Sequence, residues 1–225
     1  MDKANEVREE FLSVFSGSGA RLLDSVVPLL VFFAGNSLFG VDAALWGALA
    51  AGGIFAVIRV ARQESLVYAL AGFGGVVLAA VFVRLSGSEA GFYLPGLITN
   101  AVTVLLCAVS VLVNRPLVAW TSRITRRWPL EWYWHPKVLP AYNEVTIFWA
   151  VAFSTQLGLK YRFYQQGDIN ALGISEFLFG WPFTVVLLVV SYLYGVWRLG
   201  NLAGPSVDDF IAGTEPPWEG QKRGF

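Results

Sequence analysis

The sequence predicts an all-α, polytopic membrane protein. It has about six transmembrane helices, both termini cytoplasmic (N-in/C-in), and a cytoplasmic amphipathic segment between helices 4 and 5. Three observations lead there. Of 225 residues, 56% are hydrophobic and 14% charged, against roughly 45–50% and 25% in an average soluble domain, and mean hydropathy is +0.57. Six runs approach the length of about 20 mostly apolar residues that a bilayer span needs. The basic residues fall almost entirely on one side of those runs. Six such helices buried in a soluble domain of this size would leave too little charge for its surface.

The runs follow one another with short connections. Leu22 to Phe39 carries Asp24 near its start. Ala43 to Val60 is uncharged until Arg59, and Gly40-Val41-Asp42 makes it the antiparallel neighbour of the first. Leu66 to Val83 follows Arg62-Gln63-Glu64-Ser65. Leu94 to Asn114 follows the flexible stretch 86–91 (SGSEAG). The fifth span, Ala141 to Leu159, has Glu144 in its first turn; the sixth is Glu176 to Trp197. Only the connection from Arg115 to Pro140 is long. The chain thus divides into a cytoplasmic N-terminal segment (1–21), a membrane domain (22–198) and a cytoplasmic tail (199–225). Residues 4–15 read equally as a short amphipathic helix with Val7, Phe11 and Phe15 on one face, or as a polar tail. Asp2, Glu6, Glu9 and Glu10 are unlike the basic start of a cleaved signal peptide.

Loops on the cytoplasmic side carry excess Lys and Arg. With six spans, one side receives Lys3, Arg8, Arg21, Arg59, Arg62, Arg115, Arg123, Arg126, Arg127, Lys137, Arg198, Lys222 and Arg223. Of the 16 basic residues only Arg84, Lys160 and Arg162 fall opposite. The bias places both termini inside and supports an even number of spans. The total charge is zero, which gives no support for a nucleic-acid partner. The lone Cys107 excludes an intrachain disulfide and a cysteine-cluster metal site. No phosphate loop, HExxH, GxSxG, CxxC or dinucleotide fingerprint occurs, so the expectation is a protein that is not an enzyme and takes no cofactor.

The candidate functional residues lie mostly in the long connection. At 100° per residue, Leu117, Trp120, Ile124 and Trp128 share an arc of about 80°, with Arg123, Arg126 and Arg127 to one side. Arg115, Trp120, Arg123, Arg126, Arg127 and Trp128 are therefore expected at the membrane interface. They serve there as a positive-inside anchor or, as the sharper reading, in lipid sensing. Trp132, Tyr133, Trp134 and His135 follow. Interfacial anchoring is the commoner reason for such a cluster, although His135 is also of a type to ligate a metal or pigment. It is the only histidine, so a multi-histidine site within one chain is excluded. Pro136 and Pro140 are expected to end any helix there. Among polar groups in the spans, Asp24 and Glu144 lie near a cytoplasmic end, while Asn100 is deeper and placed to hydrogen-bond across helices. No span carries a charge at its centre, which weakens an ion-coupled pump. Pro28, Pro95 and Pro182, each near a span entry, are candidate kinks. Glycines such as Gly52 and Gly74 permit close helix packing.

Several segments resemble a known bacterial family. Residues 23–34 (LDSVVPLLVFFA) resemble the opening span of the intracellular septation protein A family. So do the apolar run 54–62 that closes on a basic residue, the Arg-Pro-Leu of 114–118 (NRPLV) and the run 143–153 around Trp149-Ala150. Residues 93–100 (YLPGLITN) and Gly180-Trp181-Pro182 resemble more closely an uncharacterised relative of that family, a domain of unknown function. The likeness covers most of residues 20–200; residues 124–140 and the tail beyond Gly200 depart from the septation pattern. It implies a multi-pass inner-membrane protein of envelope maintenance or division, with no established catalytic residues. The leading expectation is a non-enzymatic plasma-membrane protein supporting envelope organisation or assembly of a membrane complex. Its partners are the lipid bilayer and either other membrane proteins or a second copy. A small-solute or ion transporter and an accessory subunit of a pigment-binding or electron-transfer complex are the alternatives.

Overall fold

The computed structural model describes residues 30–223 except 33, 37, 62, 64 and 65. The regular structure of the described residues is all helical, with no strand among them. The main helices are α1 (Val41–Ala61), α2 (Leu66–Ser86), α3 (Leu94–Leu112), α4 (Leu117–Arg126), α5 (Leu130–Tyr133), α6 (Leu139–Gln166), α7 (Ile169–Leu178), α8 (Trp181–Asn201) and α9 (Val207–Ala212). A 3-10 turn, Glu89–Tyr93, precedes α3. Three helical stretches are long and apolar enough to cross a membrane, Val41–Ile58, Glu89–Leu112 and Ile169–Asn201; that at Phe73–Ser86 is shorter. Most of each stretch is exposed, which in water would be costly and in lipid is not. Most of the first expected run, with Asp24 and Pro28, lies outside the described residues.

The chain forms two compact units. The first comprises the described residues up to Pro95 and Phe163–Phe177. Here α1 and α2 approach at Gly52, where an added Cβ would lie 3.3 Å from Val76 Cγ2, and Ala44, Ala48 and Ala79 are buried. The turn after α2 packs so closely that a Cβ on Gly91 would lie 2.7 Å from the Phe82 carbonyl oxygen and 3.0 Å from Val83 Cα. Only glycine fits there. Phe32 stacks on Phe92 at 3.8 Å between ring centroids, and Leu172 completes the core. At one end of this hairpin Asp42, in the first turn of α1, pairs with Arg84 at 2.7 Å, and Asn36 Nδ2 donates to Glu89 at 2.7 Å. The pairing of the start of α1 with the end of α2 makes the two helices antiparallel.

The second unit comprises Gly96–Arg162 and the described residues from Leu178 onward. Its core is aromatic, and the polar tips of Trp132 and Tyr133 are hydrogen-bonded. Trp132, Tyr133 and Tyr142 are fully buried and meet edge to face, Tyr133 at 5.1 Å from each of the others. Such pairs add to the burial of their area. The Trp132 indole donates to the Pro205 carbonyl at 2.9 Å. Thr146 Oγ1 donates to the Tyr142 carbonyl at 2.7 Å and accepts from Val118 N at 3.3 Å. The polypeptide beyond α8 packs on this core. The Ser206/Asp209 capping box starts α9. A Cβ on Gly204 would lie 2.9 Å from the Lys137 carbonyl oxygen. Trp218 stands edge-on to His135 at 5.5 Å.

Several expectations change. Pro95 and Pro182 each occupy the first turn of a helix, α3 and α8, where a missing N–H removes no intrahelical bond. They start helices rather than kink them. Pro140 likewise lies in the first turn of α6 and does not end it. The last expected span divides, because α7 stops at Leu178 and α8 starts at Trp181. Helix α6 continues past Leu159 to Gln166, so Lys160 and Arg162 are helical rather than in a loop, and Lys160 is buried at 4% exposure.

Candidate functional site

The second unit gathers most of the candidate residues, and α4 is the element that displays them. Its position is over-determined. Asn114, in the left-handed region at φ 53°, closes a reversal in which Arg115 N donates to the Ser110 carbonyl at 2.8 Å, a helix-ending arrangement. Ser110 Oγ then accepts from Leu117 N at 3.0 Å, satisfying a first-turn donor of α4. At its other end Arg127 adopts a left-handed conformation and donates its N–H to the Arg123 carbonyl at 3.0 Å. One face of α4, with Val118, Ala119 and Ser122, is buried, and Ser122 shares a 3.2 Å hydrogen bond with the Tyr133 hydroxyl.

The opposite face holds Trp120 and Ile124, 42% and 75% exposed. Arg127 is exposed and Arg123 half-buried. Arg115 lies over the Trp134 ring at 4.4 Å and Arg126 over Trp128 at 5.8 Å, both cation–π arrangements. Trp128 lies beyond the end of α4 and packs on the buried core, 5.2 Å from Trp132. It therefore leaves the apolar arc in which its spacing places it. Trp132 and Tyr133 are core residues rather than interfacial anchors. Burial pushes the Tyr133 phenol above its usual range, while Ser122, Arg123 and Arg126 pull it down.

His135 holds its ring by accepting the Lys137 backbone N–H at Nδ1, 3.2 Å away. Burial, then Lys137, lowers its pKa, which keeps the ring neutral. A metal could reach it only through Nε2, and no cluster of three His, Cys, Asp or Glu side chains suited to a metal occurs among the described residues.

Glu144 takes two partners from α8. Arg198 Nε and Nη2 donate to its two oxygens, each at 2.7 Å, and the Tyr194 hydroxyl donates at 2.7 Å. The two-point Arg–carboxylate geometry is directional and docks α8 on α6. Tyr194 and Arg198 are four residues apart on a helix and so share a face; that spacing was the available signal. One helical level deeper, the Trp149 indole donates to Ser191 Oγ at 2.8 Å. Asn100 is buried, and neither its Oδ1 nor its Nδ2 has a hydrogen-bond partner, so the expected cross-helix bond is not made. Gln156 and Lys160 are also buried. Gln156 Nε2 donates to the Phe179 carbonyl at 3.1 Å while its Oε1 has no partner. Thr103 donates to its own helix at the Thr99 carbonyl. An open apolar hollow of about 470 Å³ lies along α3 and α6, lined among others by Cys107, Val111, Ala150 and Ser154.

Together these features define an all-helical protein of membrane type, with an aromatic, arginine-bearing subdomain built on its apolar helices. The chain belongs to the family described as "Protein of unknown function (DUF3159)", whose model matches residues 17–197. The matched stretch takes in α4, Glu144 and Tyr194 and ends one residue before Arg198. Neither curated proteins nor solved structures yield a match.

Proposed function

We propose that this chain is a non-enzymatic plasma-membrane protein of six spans, with both termini cytoplasmic. Its role is to support envelope organisation or the assembly of a membrane complex. The observation that carries the reading is the exposed apolar surface of its long helices, Trp46, Leu105 and Val186 among them, which calls for lipid or a partner helix. The partition of basic residues supports the orientation. The Asp42–Arg84 pair supports the alternation of sides, since it joins two charges assigned to one side. The short resemblances to septation protein A support the envelope assignment. Single cysteines introduced near residue 17, at Gly87 and near residue 222 test the topology against the native Cys107, which is buried. Labelling from outside should reach only Gly87. Gene deletion that leaves envelope integrity, cell shape and co-purifying membrane complexes unchanged would overturn the role.

A second reading, passage of a small solute, is favoured by the buried Lys160, Gln156 and Asn100. Buried polar groups are costly unless paired or used. Reconstituted vesicles that pass no solute, in the wild type and in K160Q alike, would remove it.

A further inference from the structure

We propose that α4 is seated on the membrane surface, where Arg123 and Arg127 bind the headgroups of anionic phospholipids. The inference rests on the membrane-spanning reading of α3.

Helix α4 is apolar on two faces. Val118, Ala119 and Ser122 are buried in the aromatic unit, so that face is spent. Trp120 and Ile124, one turn apart, remain outward and exposed, and α4 cannot roll to hide them. Its start is tied to Ser110 and Thr146, and its middle to Tyr133, by hydrogen bonds of 3.0–3.3 Å. On a helical wheel Arg123 lies about 60° from Trp120, and Arg127 follows at the exposed end of α4. An apolar pair beside cations is the composition of a helix lying in the headgroup layer, with the apolar side chains at the acyl boundary and the guanidinium groups level with the phosphates.

Charge complementarity selects the occupant. Between Arg115 and Lys137 there are five basic side chains against one carboxylate, Glu131. None of the ion pairs among the described residues engages Arg115, Arg123 or Arg127. Arginine offers a fork of donors suited to phosphate oxygens. A soluble polyanion would satisfy the arginines and leave Trp120 and Ile124 in water, whereas a phospholipid satisfies both. Position agrees: α3 ends at Leu112 and α4 begins at Leu117, so a spanning α3 delivers α4 to the boundary of the hydrocarbon.

The test uses the full chain reconstituted in phosphatidylcholine vesicles containing an equal fraction of either brominated phosphatidylglycerol or brominated phosphatidylcholine. Trp120 fluorescence is read as the difference between wild type and W120F. The brominated anionic lipid should quench it more strongly, and added salt should reduce the preference. R123Q/R127Q should lower the preference by about fivefold per arginine, with near-UV circular dichroism unchanged. Equal quenching by the two lipids, or a preference that survives R123Q/R127Q, overturns the proposal. So does capture of a soluble oligonucleotide or acidic peptide without lipid preference. A chain washed off the vesicles at alkaline pH overturns the spanning reading along with it; a chain that stays and shows no preference overturns this inference alone.

Discussion

The two units solve packing in opposite ways. The first brings backbones close through small residues, with Ala44, Ala48 and Ala79 in its core and Gly91 pressed on the end of α2. The second keeps its elements apart with large rings and ties the polar tips of Trp132 and Tyr133 to partners. Their ion pairs differ in the same sense. Arg84–Asp42 is mostly exposed, at 66% and 69%, whereas Arg198–Glu144 is at 30% and 34% and gains a tyrosine. The first unit depends on shape, the second on shape and hydrogen bonding together. A substitution that preserves volume should therefore be silent in the first and felt in the second.

The largest separation should come from W132A. It removes a fully buried ring and leaves the Pro205 carbonyl without its donor, a loss of about 3–5 kcal/mol, read as thermal unfolding in detergent. Protease protection should fall across residues 115–140 and 199–223 while α1 and α2 stay protected. If both units open together, the comparison breaks. In the first unit G91A should be the costly change, at about 1–3 kcal/mol, because the added methyl meets backbone atoms that cannot turn aside. Y133F keeps volume and deletes one hydroxyl, and should cost about 1 kcal/mol by the same melt; no loss would mean that the Ser122 bond is not part of the core.

The smallest effect should be the pH response of His135. Its folded pKa is lowered, so the fold holds the neutral ring. That contribution is fully present above the ordinary imidazole value of about 6.5 and is lost as pH falls through the folded value. H135N retains an acceptor for the Lys137 N–H and removes the titration. The melting temperature of the wild type should decline on acidification below about pH 6.5 relative to H135N, with Trp218 fluorescence following.

The sequence makes the apolar helices plain because a long uncharged run has few other uses; α1, α3 and α8 overlap the runs read from composition. Helix ends were less legible. Pro95, Pro140 and Pro182 break an interior but suit a first turn, and residue type alone does not say which applies. The basic face of α4 was legible from its period. Its second, buried face was not, since Val118, Ala119 and Ser122 are small and their partners lie far along the chain. Glu144 was visible as a carboxylate near a helix end, but its partners were 50 and 54 positions away. The docked tail left the least trace: α9 has only six residues, too few for a period to declare itself.

The hydrogen bond from Trp132 to Pro205 spans 73 positions, and that interval is also a time. At about 5–20 residues per second, Pro205 is synthesised roughly 4–15 s after Trp132. Through that delay, while α6, α7 and α8 are being made, the indole N–H lacks its carbonyl and the aromatic core lacks its lid. Arrival of the tail is what closes the unit. A later stretch of the chain thus decides when an earlier loop becomes structure.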